Sequence, residues 1–289
     1  DTDLGDDIDD AAALMMAFNS PELDIVGITT VFLDTEKRAR MVTDLCGWYG
    51  KTDIPVLAGA RSPLIERPDI NQEPIQYGIL RNENLYEPDR SEDAADFIIR
   101  MVRENPDLII VEMGEMTNLG IAFYREPQLM KNVEIIAMGG VFKNCYPEWN
   151  LKCDPEAARI VMDYANNLKM FGLDVTKYCK LPPELLESLC TKENERMQYY
   201  KRGTEIFRES TGYIMTLHDA LLIAYLVCED VVTLKKEDFT VELNGEKTRG
   251  AIVLQGNAYD LETESKREFY YAEHVDLEKF YAIVKEKLR

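Results

Sequence analysis

Apolar residues recur along this chain in two rhythms. Short β-branched runs, the composition of buried strands, alternate with segments whose apolar residues return every three or four positions, as on one face of a helix. Asp24–Val31 (DIVGITTV) predicts a strand, and the helix after it places Ala39, Val42, Cys46 and Tyr49 on one face. Ala94–Val102 then reads as helix and Leu108–Glu112 as strand; a helix begins near Asn118, and Val133–Ala137 is again a strand. Asp154-Pro155 is a helix start, an N-cap acid ahead of proline at the first helical position, and this helix runs to about Tyr164. Lys169–Leu173 is the next strand. Strands separated by helices predict an α/β fold, an open and mostly parallel sheet with helices on both faces. Near the end, Phe239–Leu243 and Thr248–Leu254 flank Asn244-Gly245 and predict a late β-hairpin, followed by an amphipathic helix over Leu277–Leu288. No linker, low-complexity tract or repeat interrupts the 289 residues, so one domain over 1–289 is expected.

Charge narrows the partners. A formal charge of −20 repels a phosphate backbone, so nucleic acid is not an expected partner. Much of this acid serves only to keep the surface soluble. Cys46, Cys145, Cys153, Cys179, Cys190 and Cys228 form no CxxC pair and no zinc-ligand spacing, which suits free thiols in a reducing cytoplasm. No apolar run is long enough to span a membrane and no signal peptide is visible, so a cytoplasmic chain without a membrane partner is expected. The chain opens at Asp1-Thr2-Asp3 without an initiator Met, and a short leading strand is expected ahead of it.

Open parallel sheets bind ligands beyond the carboxyl ends of their strands. The segments at those ends are Asp1–Asp10, Leu33-Asp34, Gly114–Asn118 and Met138–Gly140, and they are the least ordinary in the chain. Asp1–Asp10 holds six aspartates ahead of the apolar helix Ala11–Phe18. One or two would serve as helix caps; six adjacent carboxylates repel one another unless a cation or solvent relieves them, and a hard cation wants several oxygen ligands. His218-Asp219 heads a second apolar helix, Ala220–Val227, and the pairing at a helix start points to a site. The other histidine, His274, reads as structural or exposed. Glu148-Trp149-Asn150, just before the Asp154-Pro155 helix, adds polar groups to an apolar stretch.

In this order and spacing the segments resemble the inosine–uridine-type nucleoside hydrolases over essentially the whole chain. The opening resembles the family's D-x-D-x-G-x-D-D-A signature with two extra residues, and Thr52–Val56 through Gly59-Ala60 its "TDIPVxAGA" stretch. Gly114–Asn118 is similar to "GPLTN", Met138–Gly140 to "MGG", and Glu148–Asn150 to "EFN". Asp154–Ala158 matches "DPEAA", Gly172–Thr176 "GLDVT", and His218-Asp219 the start of "HDP".

The resemblance implies the Rossmann-like nucleoside hydrolase fold and hydrolysis of the N-glycosidic bond of ribonucleosides. It further implies that Asp3, Asp10, Asp219 and the Thr117 carbonyl bind calcium, with Asp3 as the general base toward water. Asp9, Asp34, Met138, Asn144, Glu148 and Asn150 would surround the ribose, and His218 would lie near the base as an acid for its departure. The implied partners are a small-molecule nucleoside and further copies of the chain, as a homodimer or homotetramer. The two extra residues are assigned to the glycine turn: Asp9-Asp10, directly before the helix at Ala11, take the places of the family's paired aspartates, and Asp6 and Asp7 fall in an enlarged turn.

This sequence departs from the pattern at several places. Leu33-Asp34 stands for Gly-Asn, Glu115-Met116 for Pro-Leu and Ala220 for a Pro, and no His occurs between Tyr77 and Tyr86. Two other readings follow. A haloacid dehalogenase-type phosphatase also starts from Asp-x-Asp, but it wants Thr or Val where Gly5 stands and leaves His218-Asp219 unexplained. A non-catalytic relative would keep the calcium site and bind a nucleoside without turnover.

Overall fold

The computed structural model describes residues 1–81, 87–191, 193–213, 215–255 and 267–289. The first half contains α1 (Asp9–Phe18), β1 (Ile28–Thr30), α2 (Thr35–Trp48), β2 (Val56–Ala58), α3 (Ala94–Glu104), β3 (Ile109–Glu112), α4 (Thr117–Arg125), α5 (Pro127–Met130) and β4 (Glu134–Met138). Next come α6 (Trp149–Cys153), α7 (Pro155–Tyr164), β5 (Asn167–Phe171), α8 (Leu173–Thr176), α9 (Pro183–Leu189), α10 (Glu195–Thr211) and α11 (Ala220–Val227). The chain ends with β6 (Val232–Lys236), β7 (Phe239–Val241), β8 (Ile252–Leu254), β9 (Glu268–Val275) and α12 (Leu277–Lys287).

β3, β4, β5 and β9 are parallel neighbours, and β6 closes that edge antiparallel to β9. β1 and β2 form a separate parallel pair. Asp1 and Thr2 lie between the two sets. Thr2 bonds Thr29 and Val31 on one side, while the Asp1 backbone nitrogen donates to Val111 and its carbonyl accepts from Met113 on the other. Alternation along the strands builds a core on each face. Ile136 and Met138 of β4 join the core containing α1, α2 and α11, whereas Ile135 and Ala137 join the one containing α3, α4 and α7. This is the expected α/β sheet flanked by helices.

Three expectations change in detail. The strand in 24–31 is confined to Ile28–Thr30. The strand placed at Lys169–Leu173 ends at Phe171, because extended Gly172 is already the cap of α8. The late antiparallel pair exists, but Asn244-Gly245 is not its tight turn. The Glu242 carboxylate accepts from the backbone of Asn244 and Gly245, and its main chain pairs with Gly250 and Ala251. The loop between β7 and β8 therefore spans residues 242–251.

The carboxyl ends of β1, β3 and β4 and the step from Thr2 to Asp3 all open on one edge of the sheet. An apolar cleft of about 600 Å³ lined by Ile28, Phe97, Met101 and Ile110 runs between β1 and β3. Its lining is mostly apolar but also includes Asp1, Glu22, Asp24, Glu104, Asn105 and Asp107, and Asp9, Asp10 and Asp219 are not part of it.

Candidate active site

α1 begins with Asp9 and Asp10, and its apolar run is buried along its whole length. It packs on α11, whose start carries His218 and Asp219. The Asp9 carboxylate accepts from the Asp219 amide at 3.2 Å, so one helix start braces the other. One carboxylate oxygen from each of Asp9, Asp10 and Asp219 lies within 4.8 Å of the others, and all three residues are buried. The Thr2 hydroxyl donates to Asp10 and accepts from the Leu4 amide, fixing that carboxylate against the step that bears Asp3.

Burial dominates the electrostatics of this cluster. It holds the carboxyls of Asp10 and Asp219 well above the usual range, with neighbouring aspartates adding to the effect, and it raises Asp3 and Asp9 to about 6. Three buried oxygen donors that repel one another are the donor set a hard divalent cation satisfies. The residues fit a metal ion.

Asp6 and Asp7, expected in the enlarged turn, lie outside the group of three, although burial, with nearby Asp9 and Asp3 adding to it, holds the Asp7 carboxyl well above the usual range. Asp6 pairs with Arg38 at 2.6 Å and accepts from the Ile75 amide, while Asp7 accepts from the Ile8 amide next to it. Asp3 stands outside the group of three; its carbonyl and that of Leu4 accept from the Arg38 guanidinium, which also binds the Phe32 carbonyl. Arg38 is wholly buried and went unnoticed in the sequence, where it reads as one more charge on an exposed helix face.

Around this centre the remaining residues divide. Thr117 opens α4, its hydroxyl bonded to Asp154 at 2.6 Å; Asp154 also caps α7 and accepts from the Leu64 amide. Glu148 accepts from the amides of Gly140, Asn150 and Leu151, and burial lifts its carboxyl to about 7. Asn150 donates to the Met113 carbonyl at 2.9 Å and to the Met138 carbonyl at 3.4 Å, which ties the ends of β3 and β4 together. Asp34 caps α2, with Lys37 and Arg61 each 4.0 Å away. Just before it Phe32 and Leu33 adopt left-handed φ values of 69° and 58°, a conformation costly for bulky side chains and typical of functional loops. Asn144 is exposed on the 143–146 loop, and no side-chain hydrogen bond among the described residues ties it to the cluster.

Nδ1 of His218 lies 2.8 Å from the Thr176 hydroxyl. Burial lowers its pKa to about 4, so the imidazole is neutral near pH 7. His274, exposed on β9 opposite Thr233, takes no part. The arrangement thus offers a cation pocket, a carboxylate beside it, and a neutral imidazole adjoining one of the pocket's own residues.

Residues 1–282 match the family model described as inosine-uridine preferring nucleoside hydrolase. A uridine nucleosidase from Arabidopsis thaliana is 32% identical over 263 residues, covering 85% of this chain and 78% of that protein. An inosine-uridine preferring nucleoside hydrolase from Leishmania major is 30% identical over 268 residues, covering 86% and 84%. Among solved structures, a purine-preferring ribonucleoside hydrolase from Gardnerella vaginalis superposes with a TM-score of 0.80 at 26% identity, covering 99% of this chain and 96% of that one.

Proposed function

Because the chain belongs to the inosine-uridine preferring nucleoside hydrolase family, we propose that its cluster of Asp3, Asp9, Asp10 and Asp219 is the centre at which a ribonucleoside is hydrolysed. The chain is an N-glycosyl hydrolase acting on nucleosides. The observation that carries the site assignment is the buried convergence of Asp9, Asp10 and Asp219, with His218 beside it.

Asp10, Asp219, Asp3 and the Thr117 carbonyl would hold calcium. When bound, the ion would supply the positive charge that lowers the pKa of a water and orients the ribose hydroxyls. Asp3 takes the proton as the water oxygen bonds to C1′ of the ribose. The C1′–N bond breaks and its electron pair leaves with the base. Positive charge develops on the ring in between, and the carboxylates of Asp9, Asp34 and Glu148 stabilise it, with Met138, Asn144 and Asn150 completing the ribose surround. His218 lies near the departing base as its hydrogen-bond donor. The family resemblance also supports a homodimer or homotetramer, which sedimentation of the purified chain would count, and the six cysteines without CxxC pairing fit a cytoplasmic setting. Among the described residues no helix is long and apolar enough to cross a membrane.

The test is incubation of the calcium-loaded chain with inosine, uridine, cytidine and adenosine, with chromatographic detection of free base and ribose. Release of base that stops on chelation supports the reading. Binding of these nucleosides without release would instead identify a non-catalytic relative.

A further inference from the structure

Thr176 ends α8 and is fully buried. Its approach to His218 is fixed by backbone on both sides. At the start of α8, the Leu173 amide donates to the Gly140 carbonyl at 2.9 Å, pinning the helix to the loop after β4. Beyond Thr176, the Leu217 amide donates to Cys179 at 2.7 Å and the Leu181 amide to Met215 at 3.1 Å. This short antiparallel pairing locks residues 179–181 against 215–217, one residue before His218.

The hydrogen bonds around the hydroxyl favour one direction for its proton. A threonine within a helix commonly donates to the carbonyl four residues back. Here that carbonyl, of Gly172, already accepts from the amides of Val175 and Thr176, each at 3.1 Å. Both of its lone pairs are engaged. Among the described residues the Thr176 side chain has one hydrogen-bond partner, Nδ1 of His218. Donation by the hydroxyl to Nδ1 would satisfy both groups and leave the ring hydrogen on Nε2.

We propose that Thr176 is a positioning residue that holds His218 as its Nε2–H tautomer, so that the ring donates a hydrogen bond to the departing base. This rests on the reading that His218 faces the base. As the C1′–N bond breaks, its electron pair moves onto the base, and the Nε2–H bond stabilises that charge without net transfer of the proton. The base then takes its proton from water.

The experiment compares Thr176→Val, which keeps the shape and removes the hydroxyl, with Thr176→Ser, which keeps the hydroxyl. The chain contains two histidines, so ¹⁵N spectra of the imidazoles resolve the tautomer of His218, and His274→Gln assigns the other set of signals. The calcium-loaded wild type and Thr176→Ser are expected to show Nε2–H. Thr176→Val is expected to show Nδ1–H or a mixture. With inosine or uridine, Thr176→Val should lose about 10-fold or more in kcat with KM little changed, while a nitrophenyl riboside, whose leaving group needs no such donor, is spared. A wild-type Nδ1–H tautomer, or an unchanged tautomer in Thr176→Val, overturns the pairing. A changed tautomer with no selective loss on natural nucleosides overturns the catalytic consequence, and with it the reading of His218 as the donor to the base, leaving the pairing in place.

Discussion

Nη2 of Arg38 meets the Asp6 carboxylate at 2.6 Å, while the rest of the same guanidinium holds the carbonyls of Phe32, Asp3 and Leu4. One buried cation thus joins the loop bearing Asp3 to the left-handed residues that deliver Asp34. Asp6 is partly exposed, so the ion pair itself contributes little and the bonds to buried carbonyls contribute most. Arg38→Met, which fills much of the same volume without donors, should cost about 3 kcal/mol, whereas Asp6→Asn should cost about 1 kcal/mol or less. Urea denaturation of the two variants measures both. Equal losses would place the stabilisation in the ion pair.

Asp10 and Asp7 separate the two ways of aligning the opening loop. Asp10 converges with Asp9 and Asp219, and Asp7 bonds the Ile8 amide beside it. Asp10→Asn should weaken calcium binding beyond detection in calorimetric titration and abolish turnover. Asp7→Asn should leave the calcium affinity within about threefold. The reverse ranking would move the metal ligand into the glycine turn.

His218→Ala should lower turnover on inosine and uridine by about 10²–10⁴-fold. A nitrophenyl riboside should react at close to the wild-type rate. Equal losses on both substrates would make His218 a support for Asp219 and not a partner of the base.

Removing the metal should reverse the ordinary preference for neutral pH. Burial raises Asp3 and Asp9 to about 6 from 3.8, and Glu112 and Glu148 to about 7 from 4.5. A carboxyl with a raised folded pKa binds more protons folded than unfolded, so its contribution favours folding at low pH. That contribution is lost as pH climbs from the unfolded value through the folded one. His218, lowered to about 4 from 6.5, works the other way as pH falls, but it is one group against these four and against Asp10 and Asp219, which burial raises well above the usual range. In EGTA, the melting temperature should therefore fall between about pH 5 and pH 8, and calcium should flatten or invert the trend. Calorimetry in the two buffers reads the slopes directly. A metal-free protein that gains stability toward pH 8 would contradict the burial of these carboxyls.

Much of the fold was legible because its strands and helices keep regular periods. β4 alternates between two cores, and α1 and α11 are apolar throughout, which is why their aspartate-bearing starts stood out. Other elements hid for physical reasons. α10 buries only Met197, Tyr199, Tyr200, Gly203 and Thr204 within a charged run, a face too small and aromatic to show a periodic apolar stripe. In β9 the buried set Phe269, Tyr271, Ala272 and Val275 breaks alternation, and its partner β6 carries an irregularity between Thr233 and Leu234. In the site, Asp9, Asp10, Asp219 and His218 announced themselves by clustering. Arg38 and Thr176 did not, because each acts through a hydrogen bond whose geometry exists only once distant loops are packed.

The bond from the Asp219 amide to Asp9 closes a loop of 210 residues. Such a contact gives nothing back until the intervening chain has been ordered, so it forms late on the route to the native state. If the repulsion of the three carboxylates comes into play only after the rate-limiting step, the folding nucleus assembles without a cation. Calcium should then leave the refolding rate nearly unchanged and slow unfolding instead. The lifetime of the folded chain, more than the speed of its assembly, would be set by the ion.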